Sequence, residues 1–373
     1  MNVFGAAVNS NDWDWLKMEK ALIAIDIGTT NIEAVLATED LKTIDFKCET
    51  NGQKKFGNDV AARICAAADG HAEEMRVSVL GCICGLVTGF AAAHPEYDIS
   101  RVAIAGNTVM LHILMGYDCS GLGMFPFTPF SLEAVSTTTL KLVEDFIDGE
   151  EAGLPDIPVM ILPGISAYTG ADIYAGAVAL DLCGRDNKDE INLLVDLGTN
   201  AELVLGGGSR MLVASAAAGP AFESGRIFKG TEGIEMLHRL RTLGVIDSTG
   251  LMGEEYYEKP AQKNIRRLQL AKAAIRAAIG IMLDKYGTEA SGVANIYVSG
   301  NFGNHLNEEA CIAVGMFPEQ FAGRIYAAGN TVLQGCLKYA SEPEKRIPVS
   351  YFEEVVLANE PGFNDMLIGS VEL

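Results

Sequence analysis

The chain has 373 residues, of which 49% are hydrophobic and 21% charged, so it can bury a sizeable core and is long enough for two lobes. Its 28 lysines and arginines stand against 49 acidic residues, which gives a formal net charge of −21 at pH 7. A chain this acidic repels phosphate backbones and anionic lipid surfaces, so we expect no nucleic acid and no membrane among its partners. Any bound polyanion must be held locally, by backbone amides, a metal ion and a few basic residues.

The N-terminal segment and the cysteines indicate where the protein works. Residues 1–19 lack the pattern of a secretory signal peptide and are predicted to be a disordered leader. We expect no membrane-spanning helix, because the apolar runs stay below about 18 residues. The eight cysteines lie mostly in apolar surroundings, which is typical of buried thiols in a reducing compartment. These features predict a cytoplasmic protein without a disulfide framework.

Two similar turns occur in the two halves of the chain. A short apolar strand, 22–26, leads into Asp26-Ile27-Gly28-Thr29-Thr30-Asn31, and a second strand, 193–196, leads into Asp196-Leu197-Gly198-Thr199-Asn200. Each turn is followed by two more strand patterns, which predicts a three-stranded antiparallel meander. The copies start 170 residues apart (196 − 26). Repetition at this distance predicts two similar halves, with lobes at 20–185 and 186–373.

A second repeat supports the first. The pentapeptide Ala-Gly-Asn-Thr-Val occurs at 105–109 and at 328–332, and each copy opens an apolar helical pattern. A related turn, 299–303, follows the strand 295–298, so each half is predicted to be an α/β arrangement. The best helix pattern covers 262–286, with Pro260 before it and Gly287 after it. Four cations lie largely off the buried stripe of this helix and indicate either a solvated face or a nearby anion: Arg266, Arg267, Lys272 and Arg276.

The repeated turns contain the groups that a phosphate needs. Gly28 lets a phosphate approach the backbone, while Thr29 and Thr30 offer hydroxyl and amide donors. The second copy offers the same kinds of groups from the facing side, so that the two turns together are predicted to grip one triphosphate. The third turn is predicted to lie under the adenosine. The further nucleotide-binding residues of these turns are Asn31, Gly198, Thr199, Asn200, Gly300, Asn301 and Gly303.

Acidic residues beside these turns are the candidates for chemistry. Asp26 and Asp196 are predicted to hold magnesium and to position the attacking water, since Mg²⁺ prefers oxygen ligands. Glu202 follows the second turn within a strand, where a charged side chain is unusual, and it either activates water or faces solvent. Asp172 and Glu223 are further cleft candidates, and one of them would be the base in a small-molecule kinase.

These motifs resemble the actin, Hsp70 and sugar-kinase fold, abbreviated ASKHA, and more specifically the ATPase part of the reductive activators of corrinoid proteins. The resemblance covers roughly residues 20–373. Besides the Asp-x-Gly-Thr turns and the paired Ala-Gly-Asn-Thr-Val helices, it is carried by these segments: Asn51-Gly52-Gln53, Phe56-Gly57-Asn58-Asp59-Val60, Gly106-Asn107-Thr108-Val109-Met110-Leu111-His112, Pro163-Gly164-Ile165-Ser166, Gly170-Ala171-Asp172, Ala218-Gly219-Pro220-Ala221-Phe222-Glu223, Gln269-Leu270-Ala271-Lys272 and Phe302-Gly303-Asn304.

The resemblance implies a two-lobed α/β ATPase whose ribonuclease H-like halves are duplicated, with a nucleotide cleft between them. It implies ATP and Mg²⁺ as ligands and places Gly219, Gln269 and Lys272 among the nucleotide-binding residues, the last two at the ribose or adenine. It also implies a homodimer that binds the corrinoid protein of a methyltransferase system and permits the reduction of inactive Co(II) to Co(I).

Two departures from the family pattern are expected to matter. No cysteine cluster has ferredoxin spacing, so we expect no iron–sulfur cluster and a separate electron donor. The hairpin that the family has after the Glu223 region is missing, and 225–233 leads directly into a helix predicted at 234–243. Two alternatives stay open: a sugar or carboxylate kinase of the same fold with Asp172 as base, and a nucleotide-gated binding module without turnover.

Overall fold

The structure, a computed structural model, describes residues 18–146, 153–183, 190–198, 200–219, 232–300 and 306–373. The first half contains β1 (Glu19–Ile27), β2 (Asn31–Thr38), β3 (Thr43–Thr50), α1 (Val60–Ala66), α2 (Ala72–Ala93), β4 (Tyr97–Gly106), α3 (Thr108–Met115), β5 (Val135–Thr138), α4 (Thr139–Val143), β6 (Pro158–Ile161) and α5 (Ala171–Ala179). The second half contains β7 (Ile191–Leu197), β8 (Ala201–Gly207), β9 (Arg210–Ala216), α6 (Glu232–Thr242), α7 (Lys259–Tyr286), β10 (Val293–Ser299), α8 (Glu308–Ala313), β11 (Ile325–Gly329), α9 (Thr331–Ser341), β12 (Phe352–Glu354) and α10 (Phe363–Gly369).

The described strands form two sheets of matching design. The first sheet has the order β3-β2-β1-β4-β6-β5 and the second has β11-β10-β7-β8-β9-β12. In each sheet the meander is antiparallel, and its first strand pairs in parallel with the strand that leads to a glycine turn, β4 or β10. That strand pairs in parallel with the next one, β6 or β11. The predicted duplication of the two halves is therefore confirmed.

Several boundaries differ from the predicted ones. β1 begins at Glu19, one residue inside the predicted leader, and α7 begins at Lys259 rather than at 262. Pro260 lies in the first turn of α7, where its missing amide costs no intrahelical bond, and Gly287 ends the helix with φ of 85°. The predicted boundary between the lobes, at 185, falls within 184–189, which lie outside the described residues.

A long apolar helical segment runs from Val60 to Ala93. By length and composition alone it is able to cross a membrane, so the expectation that no segment has this property is wrong. Its apolar side chains, including Met75, Leu80 and Phe90, are buried in the core beside the first sheet. A core helix passes the same test of length and composition, so the composition of this segment is explained by its packing.

Helices α5 and α9 are exchanged between the halves. α9, from the second half, packs on β1 and β4 of the first sheet, whereas α5, from the first half, contacts β7 and β8 of the second sheet as well as β4 of its own. The two helices cross closely, because a Cβ atom on Gly335 would lie 1.9 Å from the carbonyl oxygen of Ala175. The core consequently runs without a break from the first sheet, through both helices, to one face of the second sheet.

The helices of the pentapeptide repeat do not pair with each other. Both copies open a helix as predicted: the side-chain oxygen of Asn107 accepts the Val109 amide at 2.9 Å, and that of Asn330 accepts the Leu333 amide at 3.0 Å. The helix that crosses α9 is nevertheless α5, and α3 packs on α2 and β4 instead. The prediction that each copy opens a helix is confirmed, and the identical residues reflect the same strand-to-helix cap.

The tight crossing predicts the effect of one added methyl group. We expect Gly335→Ala to lower the free energy of unfolding by about 1–3 kcal/mol, because the helices must move apart. Gly81→Ala is the matched control, since Gly81 is exposed in the interior of α2 and an added Cβ atom meets nothing within 4 Å. Alanine should stabilise that position by up to about 1 kcal/mol. Urea denaturation measures both changes, and equal values for the two variants would contradict the close crossing.

Candidate functional site

The first candidate turn connects β1 to β2 at the carboxyl end of β1. Asp26 is the penultimate residue of β1 and lies opposite Glu33 on β2. Thr29 is half-buried and Thr30 is exposed, so the turn remains accessible. The Asn51 amide nitrogen donates to the Gly28 carbonyl oxygen at 2.8 Å and holds the turn from the side of β3.

The second candidate turn has the same place in the second sheet. Asp196 is the penultimate residue of β7, and its Oδ2 accepts a hydrogen bond from the Ser299 hydroxyl at 2.5 Å. Ser299 ends β10, and Gly300 follows with φ of 85°. A Cβ atom on Gly300 would lie 2.5 Å from the Leu197 carbonyl oxygen, so a larger residue does not fit there. The start of the third turn therefore lies against the second one.

Four carboxyl groups from four elements converge between the two turns. Asp26 comes from β1, Asp172 from the first turn of α5, Asp196 from β7 and Glu202 from β8. All four are half-buried by accessible surface. They are close enough that Asp172 and Asp196 each raise the pKa of both Asp26 and Glu202. The structure therefore brings together the three predicted catalytic residues and Asp172.

The electrostatics of this cluster favour uptake of positive charge. Burial, followed by the charges of neighbouring carboxylates, raises the pKa of Asp26 and Glu202 well above the usual values. Burial also raises the pKa of Asp172, to about 7, and that of Asp196, which the Ser299 hydroxyl partly lowers again. Within the described residues no lysine or arginine contributes to these shifts. The cluster thus has no basic counterion in the described part of the chain, and its carboxyl groups hold protons more tightly than usual.

Three residues of this cleft were not predicted from the sequence: Glu33, Ser299 and Asn330. The side-chain amide of Asn330 donates to Glu33 at 2.8 Å and to Asp26 at 3.5 Å, while its oxygen caps α9. Ser299 holds Asp196. Asn330 and Ser299 both lie in motifs that were recognised as turns. Their position at the end of a strand was the signal that could have placed them in the cleft. For Glu33 the sequence offered only one signal, its position opposite Asp26 in the predicted β1–β2 hairpin.

Gln269 and Lys272, the predicted adenosine contacts, are both fully buried on α7. The Gln269 amide donates to the carbonyl oxygens of Thr249 at 2.9 Å and Val371 at 3.2 Å, and the Lys272 ammonium donates to the carbonyl oxygen of Glu372. Burial and the nearby Arg276 lower the pKa of Lys272 to about 8. In this structure the segment 370–373 satisfies both side chains, so a nucleoside would have to replace those bonds. Their role in nucleotide binding stays a prediction.

Of the other predicted nucleotide contacts and cleft residues, some lie outside the described residues and the rest are untested. Thr199, Asn301, Gly303 and Glu223 lie outside the described residues, as does most of the segment 225–233. Gly219 follows β9 with φ of 66° and is half-buried. The nucleotide contacts assigned to Gly28, Asn31, Gly198, Asn200 and Gly300 likewise stay predictions.

Magnesium is compatible with the donor set. In the part of the chain that the structure describes, no three His, Cys, Asp or Glu side chains form a ready-made metal site. Mg²⁺ commonly binds through one or two carboxylates together with phosphate oxygens, and a cluster of carboxylates without a counterion suits it. Asp26 and Asp196 would hold the ion, which would supply positive charge to the phosphates.

The chain matches two family models over most of its length. Residues 22–185 match the RACo middle region, and residues 190–237 and 259–373 match the C-terminal ASKHA domain of RACo. The chain belongs to the RACo family, the reductive activators of corrinoid proteins. The predicted ASKHA fold is confirmed by this match and by a solved structure of a reductive activator for corrinoid,iron-sulfur protein. That structure has a TM-score of 0.78 and 25% identity, and the alignment covers 96% of this chain and 66% of the solved one.

Two curated relatives carry related descriptions. The corrinoid activation enzyme RamQ of Eubacterium limosum is 25% identical over 399 residues, which cover 87% of this chain and 64% of RamQ. The [Co(II) methylated amine-specific corrinoid protein] reductase of Methanosarcina barkeri is 28% identical over 214 residues, or 56% of this chain and 38% of the reductase. The RACo-family chain described here therefore spans less than two thirds of the length of these curated relatives.

The carboxylate cluster predicts that removing one charge stabilises the ligand-free protein. The Asp172 carboxyl has its pKa raised from 3.8 to about 7, so the folded state binds more protons than the unfolded state between these values and loses stability as pH rises through them. Asp172→Asn should therefore raise the melting temperature at pH 8 by a few degrees, where about 1 kcal/mol shifts it by roughly 2–4 °C. At pH 5, which lies between the two pKa values, the gain should be less than half of that at pH 8.

Calorimetric or fluorescence melting in EDTA, without nucleotide, measures this difference. Asp98→Asn is the control, because Asp98 is exposed at the start of β4. An Asp172→Asn gain that is equal at both pH values, or absent at pH 8, would contradict the burial of the Asp172 carboxyl group beside Asp196.

Proposed function

We propose that this RACo-family protein binds ATP with Mg²⁺ in the cleft and hydrolyses it to remodel a corrinoid-binding protein, so that inactive cobalt(II) is reduced to cobalt(I). The observation that carries the proposal is the convergence of Asp26, Asp172 and Asp196 from the two turns and the crossing helix α5. Family membership and the descriptions of RamQ and the Methanosarcina reductase support the choice of a corrinoid protein as partner.

The cleft residues have distinct tasks in the proposed hydrolysis. A water oxygen attacks the γ-phosphorus, the bond to the leaving ADP oxygen breaks, and the water gives up a proton. We assign Asp196, oriented by Ser299, to positioning this water. Asp172 and Glu202 are the bases within reach of the cluster, and the pKa of about 7 suits Asp172 to accepting a proton at neutral pH.

Nucleotide binding is coupled to the partner through the relative position of the lobes. Asp172 begins α5 and Asn330 caps α9, so the two crossing helices both start in the cleft. To shift a two-state lobe closure from 1:99 to 99:1 requires about 5.5 kcal/mol of differential binding, which a triphosphate held from both sides can supply. A separate donor supplies the one electron that reduces Co(II) to Co(I), while ATP changes only the environment of the cobalt.

A small-molecule kinase of the same fold is the second candidate. It is favoured by the same raised pKa of Asp172, because a base near neutrality also removes a proton from a sugar hydroxyl. A kinase transfers the γ-phosphoryl group to the substrate, whereas the activator releases inorganic phosphate, so the products separate the two. The homodimer and the cytoplasmic location stay predictions.

The proposed chemistry predicts the effect of a nearly isosteric change. Asp196→Asn keeps an oxygen that accepts from Ser299 but removes the charge, so we expect ATP hydrolysis to fall by at least about 100-fold. Binding of ATP with magnesium, measured by titration calorimetry, should weaken much less than hydrolysis, because Asp26 still holds the ion. Asp98→Asn, on an exposed position of β4, should leave both unchanged.

The cobalt assay tests the partner. A corrinoid protein of the same organism, loaded with cobalamin as Co(II), is mixed with a chemical one-electron donor, and the Co(I) absorbance is followed with and without ATP. We expect ATP and this protein together to be required for Co(I) formation, and Asp196→Asn to abolish the effect. Phosphorylation of a sugar or carboxylic acid would favour the kinase, Co(I) formation with unimpaired Asp196→Asn would favour a binding module, and no ATP binding would refute all three.

A further inference from the structure

The carbonyl groups of the first turn are all bound from behind. The side-chain amide of Asn51 donates to the Gly28 carbonyl oxygen at 2.8 Å, and the backbone amide of the same residue donates to that of Thr30 at 2.9 Å. Between them, the Thr29 carbonyl oxygen accepts from the Arg63 guanidinium. Three consecutive carbonyls of the turn are thus held on the side away from the cleft.

The orientation of the amides follows from the planarity of the peptide bond. In a trans peptide the N–H points opposite to the C=O, and the peptides of this turn are trans. Because the carbonyls of Gly28 and Thr29 point back to Asn51 and Arg63, the amides of Thr29 and Thr30 point the other way. Within the described residues neither amide donates a hydrogen bond. Two adjacent, unbonded amides in an accessible turn form an anion-binding nest.

Arg63 is a fully buried guanidinium immediately behind this nest. Besides the Thr29 carbonyl, it donates to the Gly57 carbonyl oxygen at 3.2 Å and to the Gln53 side-chain oxygen at 3.2 Å. None of these acceptors carries a charge, and no carboxylate in the described part of the chain forms an ion pair with Arg63. Burial lowers the pKa of Arg63 to about 10, so the group remains charged at neutral pH.

A buried guanidinium whose hydrogen-bonded oxygens are all uncharged is stabilised by negative charge nearby. The charge of Asp59 already raises the pKa of Arg63 against the effect of burial, and an anion on the turn would add to it. Arg63 contacts the turn at the Thr29 carbonyl oxygen. The amide of the same peptide group, that of Thr30, points the other way, so an anion bound there would lie across this one peptide group from Arg63. A guanidinium with a fixed fork suits this arrangement better than an ammonium, because it binds several carbonyls at defined angles.

We propose that Asn51 and Arg63 are positioning residues which hold the first turn as a preformed nest for a phosphate group of the nucleotide, and that Arg63 also supplies the positive charge behind it. Neither residue touches the ligand. Asn51 fixes the peptide that presents the Thr29 amide, and Arg63 fixes the one that presents the Thr30 amide. The inference rests on the proposed function for the identity of the nucleotide, but not for the geometry of the nest.

Substitutions can separate the positioning of the first turn by Asn51 and Arg63 from the other roles of these two residues. Asn51→Ser preserves the cap of the short helix Gly52–Phe56, since serine can accept the Gln53 amide, but it is too short to donate to Gly28. Arg63→Met removes the charge and the fork, and Arg63→Lys retains the charge alone. Arg76→Lys is the matched control, because Arg76 on α2 also donates to a backbone carbonyl, that of Leu114 at 3.0 Å, away from the cleft.

The readout is binding of inorganic tripolyphosphate, ATP and adenosine to the full chain by calorimetry. The Thr29 and Thr30 amide signals of threonine-labelled protein provide a second readout. In the unsubstituted protein, tripolyphosphate should shift both signals. We expect Asn51→Ser and Arg63→Met to weaken tripolyphosphate and ATP about tenfold or more, with adenosine unchanged, since one lost charged or polar contact of about 1.4 kcal/mol is tenfold. Arg63→Lys should recover part of the loss, and Arg76→Lys should bind normally.

Each possible binding result either supports or overturns the proposed nest. Unchanged tripolyphosphate affinity in folded Asn51→Ser and Arg63→Lys would overturn the nest while leaving the proposed function intact. Tripolyphosphate binding without ATP binding would support the nest and refute the proposed function. Equal loss in Arg76→Lys, or equal loss of adenosine affinity, would reduce the effect to general destabilisation and overturn the assignment.

Discussion

The contact on which the rest of this structure depends is the close crossing of α5 and α9 at Gly335. An added Cβ there would meet the Ala175 carbonyl oxygen at 1.9 Å, so the two helices can lie this close only without a side chain. Because α9 packs on the first sheet and α5 contacts both sheets, the crossing joins the two sheets into one core. It also fixes the first turns of both helices, with Asp172 and Asn330, at the cleft.

The charge distribution follows from this arrangement. The protein has a net charge of −21, and the cleft is acidic as well. There the charges of Asp172 and Asp196 raise the pKa of Asp26 and Glu202, and no ion pair with a basic residue is found among the described residues. A triphosphate alone would be repelled by such a cluster, whereas a triphosphate with a divalent cation matches it. The two faces of the site are therefore complementary: backbone amides with a buried arginine behind one turn, and carboxylates for the cation beside them.

Much of this could be predicted from the sequence, because the signals are local. Asp26, Gly28 and Thr29 lie in a strand-turn-strand pattern that repeats at Asp196, and the helix caps at Asn107 and Asn330 follow from residue type. The crossing of α5 with α9 could not be predicted, since it depends on which helices expose glycine and alanine to each other in three dimensions. The same holds for the contact of segment 370–373 with Lys272, which joins residues 100 positions apart.

The two turns differ in how their functional groups are held: the amides of the first turn are fixed by buried side chains, and the Asp196 carboxyl group of the second by Ser299. The first turn is fixed from behind by fully buried side chains, so it can present its amides before any ligand arrives. Asp196 is instead held by Ser299, at the end of the strand that leads into the third turn, and a Cβ on Gly300 would lie 3.2 Å from its other oxygen. A ligand that shifts the start of the third turn must also shift the Ser299 hydroxyl, the donor that orients Asp196. In the proposed mechanism, phosphate binding at the first turn would therefore not depend on the alignment of the water at the second.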